Sequence, residues 1–265
     1  MYKTYKFLLN NVYVVGDLHG EFQLLKYKIR ENKITDAFII VAGDCGFGFE
    51  KPEYYRQVYN KMLKVLSKQN VTILFVRGNH DDPEYFNGKF IINYKYFKTI
   101  PDYSILTFGN ENTHNILCVG GAISIDRRYR KNEESKYTNG KRFYWENEQP
   151  VYLPEVLDKI NEDGIKIETV ITHSSPTFAP LTNKGSIENF IIFDNTLEND
   201  INNERLVITQ IYEHIVKKDK HNVKNWFYGH FHQHSLMYSD DDVKFVMLDM
   251  FRTRNNCWDI YEIRI

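Results

Sequence analysis

A chain of 265 residues with 42% hydrophobic and 26% charged residues has the composition of a globular protein with a sizeable core, and its length suits one domain spanning 1–265. With 34 basic against 35 acidic residues the formal net charge is −1, which excludes a global field drawing it to nucleic acid or anionic lipid. No run approaches the ~18 apolar residues of a membrane span, MYKTYKFLLN lacks the marks of a cleaved leader, and Cys45, Cys118 and Cys257 are odd in number and far apart; a cytoplasmic protein with reduced thiols is expected, without a disulfide framework or a cysteine-rich zinc site.

In chain order, residues 12–16 read as a strand, 22–31 as a helix with an apolar face, and AFIIVAG at 37–43 as a second buried strand. A helix over 54–68 presents Val58, Met62, Val65 and Leu66 on one side, and VTILFV at 71–76 is a third apolar strand. Continuous apolar strands alternating with helices predict a sheet covered by those helices, an α/β arrangement. Past residue 88 the rhythm shifts to short strands at 104–108 and 115–121. Residues 124–143 are polar and highly charged and are read as a loop. A helix at 154–163 starts at Pro154 and stops at Gly164, a strand follows at 167–172, a helix at 206–217, and NWFYG, KFVMLDM and CWDIYEIRI supply closing strands.

One pattern recurs. VVGDLHG, VAGDCG, VRGNHD, VITHSSP and FYGHFHQ each place Asp, Asn or His directly after an apolar strand, and four of the five have glycine just before it. Glycine lets backbone approach a ligand closely, and strands of open α/β sheets collect their sites at the carboxyl ends. Five such ends offer Asp17, His19, Asp44, Asn79, His173, His230 and His232. Buried carboxylates and imidazoles at strand ends need compensation, and this mixture of oxygen and nitrogen donors suits manganese, iron, zinc or a related divalent ion. Seven donors exceed the needs of one ion, whereas two ions bridged by a carboxylate would use them all.

Taken in order, D-x-H, G-D, G-N-H-D, a lone strand-end His and G-H-x-H resemble the calcineurin-like metallophosphoesterase superfamily, over residues 17–232. The resemblance implies an α/β (α+β) fold with a two-sheet β-sandwich flanked by helices, and two divalent ions, with manganese favoured over iron, zinc or nickel. It places Asp17, His19 and His232 on the first ion, Asn79, His173 and His230 on the second, and Asp44 across both. His80 would lie over the substrate as general acid or phosphate-stabilising donor, with Asp81 able to orient it. A hydroxide held between the cations would then attack phosphorus in line.

Protein serine/threonine phosphatases of the superfamily continue the second motif as G-D-x-x-D-R-G, whereas this chain reads GDCGFGF, with Phe47 where the second Asp would stand. The segments GGAISIDRRYR and YWENEQP resemble instead a bacterial and phage branch with an arginine-bearing loop near the site, so Arg127 and Arg130 are the candidates for phosphate, which guanidinium grips in two-pronged fashion. The expected activity is hydrolysis of phosphate mono- or diesters of small or nucleotide-like molecules. A nuclease is the alternative, disfavoured by the near-zero charge and by the mere 33 residues after His232; a non-catalytic scaffold is a third reading, disfavoured because every ligand-type residue is present. His114, His214 and His221 have no motif context, and Cys45 reads as a small buried thiol.

Overall fold

The apolar strands owe their unbroken hydrophobicity to burial on both faces. In the computed structural model, which describes residues 1–9, 11–137, 141–179, 187–251 and 260–265, the chain begins with β1 (Lys3–Phe7), β2 (Asn11–Val15), α1 (Phe22–Glu31), β3 (Ala37–Ala42), α2 (Pro52–Gln69) and β4 (Val71–Val76). Short strands β5 (Asn93–Tyr94) and β6 (Phe97–Thr99) precede β7 (Ser104–Phe108), β8 (His114–Val119) and α3 (Arg127–Glu134). Then come α4 (Pro154–Glu162), β9 (Thr169–Thr172), α5 (Ile187–Ile191), α6 (Leu197–Tyr212), β10 (Asn225–Tyr228), β11 (Ser235–Tyr238), β12 (Lys244–Met247) and β13 (Ile260–Ile263).

Two mixed sheets result, ordered β13-β2-β3-β4-β6-β5 and β1-β7-β8-β9-β10-β12-β11. The period-two alternation of strand side chains sorts them into three cores. Val12, Val14, Phe38, Ile40, Leu74 and Val76 of the first sheet meet Leu106, Ile116, Ile171, Phe227 and Val246 of the second. The opposite face of the first sheet, with Val15, Ile39, Val41, Ile73 and Phe75, buries Leu25, Ile29, Val58 and Met62 of α1 and α2. The outer face of the second, with Leu117, Val170, Trp226 and Phe245, packs on Leu157 and Ile160 of α4 and Ile208 and Ile211 of α6. The order is thus helices, sheet, sheet, helices, the expected two-sheet sandwich. No described helix is long and apolar enough to cross a membrane.

Several elements depart from the sequence reading. Part of the expected 124–143 loop is helix α3, which buries no residue. Ion pairs hold it in place of apolar contacts: Arg127 to Asp194 and Asp200, and Arg130 to Asp126, which is why an apolar periodicity could not reveal it. Residues 138–140 of that segment lie outside the described residues. Helix α6 begins nine residues before the expected 206, because its first turns are polar and anchored by the buried Leu197 and Glu204. It runs into a π-helical turn, Glu213–Lys218. The edge strands β1 and β11 carry a mostly exposed pattern and gave no alternating apolar signal. Of the expected CWDIYEIRI strand, β13 covers Ile260–Ile263, while Cys257 lies outside the described residues. Cys45 and Cys118 are free, buried thiols.

Candidate metal centre and active site

Five strand ends build one site. Asp17 and His19 follow β2, Asp44 follows β3, Asn79 and His80 follow β4, His173 follows β9, and His230 and His232 follow β10. Parallel pairing of β2 with β3 and β3 with β4, and of β9 with β10, points these carboxyl ends the same way within each sheet. The loops are then stitched together by main chain, since Leu18 N and His19 N both donate to Asp44 O, at 3.1 and 2.7 Å.

Backbone geometry at the site is demanding. His19, Asp44, His230 and His232 all have positive φ, between 45° and 71°. A non-glycine residue held in that region costs on the order of 1–3 kcal/mol, and such strain concentrates where side chains must be aimed. Close approach explains two of the glycines: a Cβ at Gly78 would stand 2.2 Å from Asp44 Oδ1, and one at Gly229 would stand 2.2 Å from Asp17 Oδ1.

Donor atoms of Asp17, His19, Asp44 and His232 all lie within 4.8 Å of one another. Asp17 Oδ1 accepts from His230 N at 2.9 Å; His232 Nε2 stands 2.9 Å from Asp17 Oδ2 and 3.1 Å from His19 Nε2. On the other side His173 Nε2 is 3.2 Å from Asp44 Oδ1 and 3.0 Å from Asn79 Oδ1, and the His173 and His230 rings lie 5.2 Å apart. Asp44 therefore stands between the two groups that were expected to hold separate ions. The donor set fits divalent cations on a second ground: Asp17 Oδ2 is fully buried yet accepts no well-formed hydrogen bond, an arrangement costly without a cation.

The electrostatics follow from this crowding. Burial resists charge on Asp44, but the imidazoles of His80, His173 and His19 hold its carboxyl well below the usual range. Burial also opposes charge on His173, yet Asp44, Asp17 and the hydrogen bond to Ala42 O carry its pKa up to about 9. His230 is pushed down to about 3 by burial and by neighbouring His173.

His80 lies beside the cluster: its main-chain N–H donates to Asp44 Oδ1 at 2.8 Å, and its ring is 5.6 Å from that of His19. Arg130 Nη2 donates to its Nδ1 at 3.2 Å, which leaves the proton of the neutral ring on Nε2. Burial first, then Arg130 against the pull of Asp44, lowers the pKa of His80 to about 4. Asp81 is placed otherwise than as a partner for that ring. Its carboxylate accepts the main-chain N–H groups of Gly78, Cys45, Gly46 and Phe47 at 2.8–2.9 Å, so it ties the loop after β3 to the loop after β4. The two arginines also separate. Arg130 adjoins His80, whereas Arg127 is spent on Asp194, Thr196 and Asp200.

Two residues escaped the sequence reading. Asn79 Nδ2 donates to Ser124 Oγ at 2.9 Å, and Ser124 N and Oγ donate to the fully buried Glu148 at 2.8 and 2.6 Å. This chain fixes the amide of Asn79 so that its oxygen, not its nitrogen, faces the cluster. Glu148 is pushed up to about 8 by burial, against the two Ser124 hydrogen bonds. The segments GGAISIDRRYR and YWENEQP contain both residues, but only the arginines in them carried a recognisable chemistry.

No curated protein matches the sequence. Among solved structures, one is 14% identical over 91% of each chain with a TM-score of 0.47. A dimetal phosphatase from Danio rerio is 12% identical over 92% of this chain and 88% of its own, with a TM-score of 0.43. A cold-active protein-tyrosine phosphatase from a psychrophilic Shewanella species is 15% identical over 66% and 68%, with a TM-score of 0.29. The profile of the calcineurin-like phosphoesterase family matches residues 11–234, taking in all five strand-end motifs. The chain belongs to the calcineurin-like phosphoesterase family and is a metal-dependent phosphoric ester hydrolase; the family implies a dinuclear divalent site, for which the strand ends carry a candidate donor cluster.

Proposed function

We propose that the protein hydrolyses phosphate mono- or diesters of small or nucleotide-like molecules. The observation that carries this reading is the convergence of donors from five strand ends, with Asp17, His19 and His232 clustered with Asp44 on one side and His173 and Asn79 set against Asp44 on the other. Asp17, His19 and His232 would hold one ion, Asn79, His173 and His230 the other, and Asp44 both; manganese is the favoured metal. Bound there, two divalent ions supply an acidified water and positive charge for the phosphoryl oxygens.

The chain's own residues do the rest. His80, neutral and carrying its proton on Nε2, donates to a phosphoryl or leaving oxygen. A neutral imidazole is a weak acid, so hydrogen bonding to the ester is better supported than full proton transfer. Arg130 sets the ring's tautomer and brings a guanidinium to the same rim, suited to a phosphate oxygen. Asp81 keeps two of the loops in register.

Purified protein with added Mn²⁺ should turn over p-nitrophenyl phosphate or bis-p-nitrophenyl phosphate, and the ratio of the two rates assigns mono- or diester preference. Absence of turnover on both, with metal bound, would overturn the proposal.

A further inference from the structure

A second group of metal-type donors lies on the outer helical layer, apart from the strand-end site. Asp158 on α4 and His214 in the π-helical turn after α6 approach each other and Asp219, which caps that turn. Their donor atoms lie within 4.8 Å of one another. His214 Nε2 is 3.1 Å from Asp158 Oδ1 and 3.3 Å from Asp219 Oδ2. Donors placed about 2.0–2.2 Å from a tetrahedral zinc ion are roughly 3.3–3.5 Å apart, so these two edges are close to those of such a site.

Two buried polar atoms in the group also lack a well-formed hydrogen bond. Asp219 Oδ2 and His221 Nε2 accept and donate no hydrogen bond, although their side chains are only 5% and 0% exposed, and they face each other at 3.9 Å. His221 Nδ1 accepts from Ile167 N at 3.4 Å, which leaves its proton on Nε2, directed towards Asp219. His221 therefore offers a donor hydrogen, not a lone pair. A buried carboxylate oxygen and a buried N–H left unpaired across a gap too long for a hydrogen bond cost stability unless a further group lies between them.

We propose that Asp158, His214 and Asp219 bind one divalent cation of the zinc type, with a water as fourth ligand accepting from His221 Nε2–H. One imidazole and two carboxylates select zinc or cobalt over calcium, which prefers an all-oxygen shell. Tyr152 Oη, 2.8 Å from His214 Nδ1, is in place to accept a hydrogen bond from Nδ1–H once Nε2 faces the ion. Lys218, whose side chain is largely exposed, sits against Asp158 Oδ1 and 3.2 Å from His214 Nε2. It supplies positive charge at the solvent edge but does not satisfy Asp219 Oδ2, and on a flexible stem it swings out when the ion enters. The ion would pin the end of α6 to α4, both of which cover the second sheet.

The test compares the full-length chain with D158N, D219N and K218M after chelator treatment, by equilibrium dialysis against Zn²⁺ and by Co²⁺ absorbance. Asp158 is half exposed, so D158N is expected to fold even if D219N does not, which circular dichroism checks. Wild type should bind one ion more per chain than D158N, with the visible bands of four-coordinate Co²⁺ reduced to match, and K218M should bind that ion several-fold more tightly. Zn²⁺ should also raise the Tm of wild type more than that of D158N. Equal ion counts in folded wild type and D158N would overturn the proposal, whatever the strand-end site holds.

Discussion

At the scale of single residues, Asp44 and His80 divide the work between charge and direction. Asp44 stands between the two donor groups, 3.2 Å from His173 Nε2 and 3.9 Å from His19 Nε2. Asp44→Asn removes the charge that both ions would share, so metal analysis of the variant should show loss of both; two retained ions with normal activity would refute the bridge. His80→Ala should lower kcat by roughly 10²–10³ while leaving metal content intact, the scale of one lost transition-state hydrogen-bond donor. Because the ring is neutral, the loss should be similar for an alkyl phosphate and for p-nitrophenyl phosphate. A loss confined to the poor leaving group would make His80 a proton-transferring acid. Ser124→Ala frees the Asn79 amide to turn, and metal titration should show the second ion bound about 10-fold more weakly, with the first unaffected.

At the scale of elements, α3 illustrates a helix held by charge. It buries no side chain, yet Arg127 reaches Asp194 and Asp200 before α6 and in its first turn, and Arg130 reaches back to Asp126 and across to His80. The two arginines should therefore fail differently. Arg127→Ala leaves Asp194 without its partner and should cost about 1–3 kcal/mol of stability, read from denaturant unfolding. Arg130→Ala should change kcat/KM with little effect on the unfolding midpoint. Full kcat/KM in the Arg130 variant would return α3 to a purely structural element. A place near the site was expected for both arginines from the resemblance, but the structural role of Arg127 was not legible in the sequence, because Asp194 and Asp200 are 67 and 73 positions away.

For the whole molecule, the site lies where the two sheets meet, so its ions should couple to global stability. Chelation leaves buried carboxylates and imidazoles uncompensated and should lower Tm by roughly 10 °C, since each ion at 100 times its Kd contributes about 2.7 kcal/mol. Glu148 adds a pH dependence. Its folded pKa of about 8 lies above the ordinary glutamate value of 4.5, so the folded protein binds the proton more tightly than the unfolded chain. Its contribution is fully present below pH 4.5 and is lost as pH rises towards and through 8. Stability of wild type should fall between pH 5 and 8 by on the order of 1–3 kcal/mol more than that of Glu148→Gln. Parallel unfolding profiles would show that Glu148 ionises normally.

The helix-covered apolar strands and the Asp, Asn and His residues at their ends were legible in the sequence, and the sandwich was legible through the family resemblance those motifs carry. Strand runs such as 37–43 and 71–76 are apolar on both faces, and side chains that must end such strands at Asp, Asn or His leave a local signature within three or four residues. Those motifs stay readable because a turn, a glycine and a ligand are neighbours along the chain. The direction each charged group faces was set by the packing of the layers. Arg127 and Arg130 lie three residues apart on one helix, yet one is consumed by Asp194 and the other meets His80. Asp81, adjacent to His80, turns its carboxylate to four main-chain N–H groups instead. Ser124 and Glu148 act on Asn79 from 45 and 69 positions away. Hydrogen bonds to distant partners depend on where the layers come to rest, and no local pattern of residues carries that information.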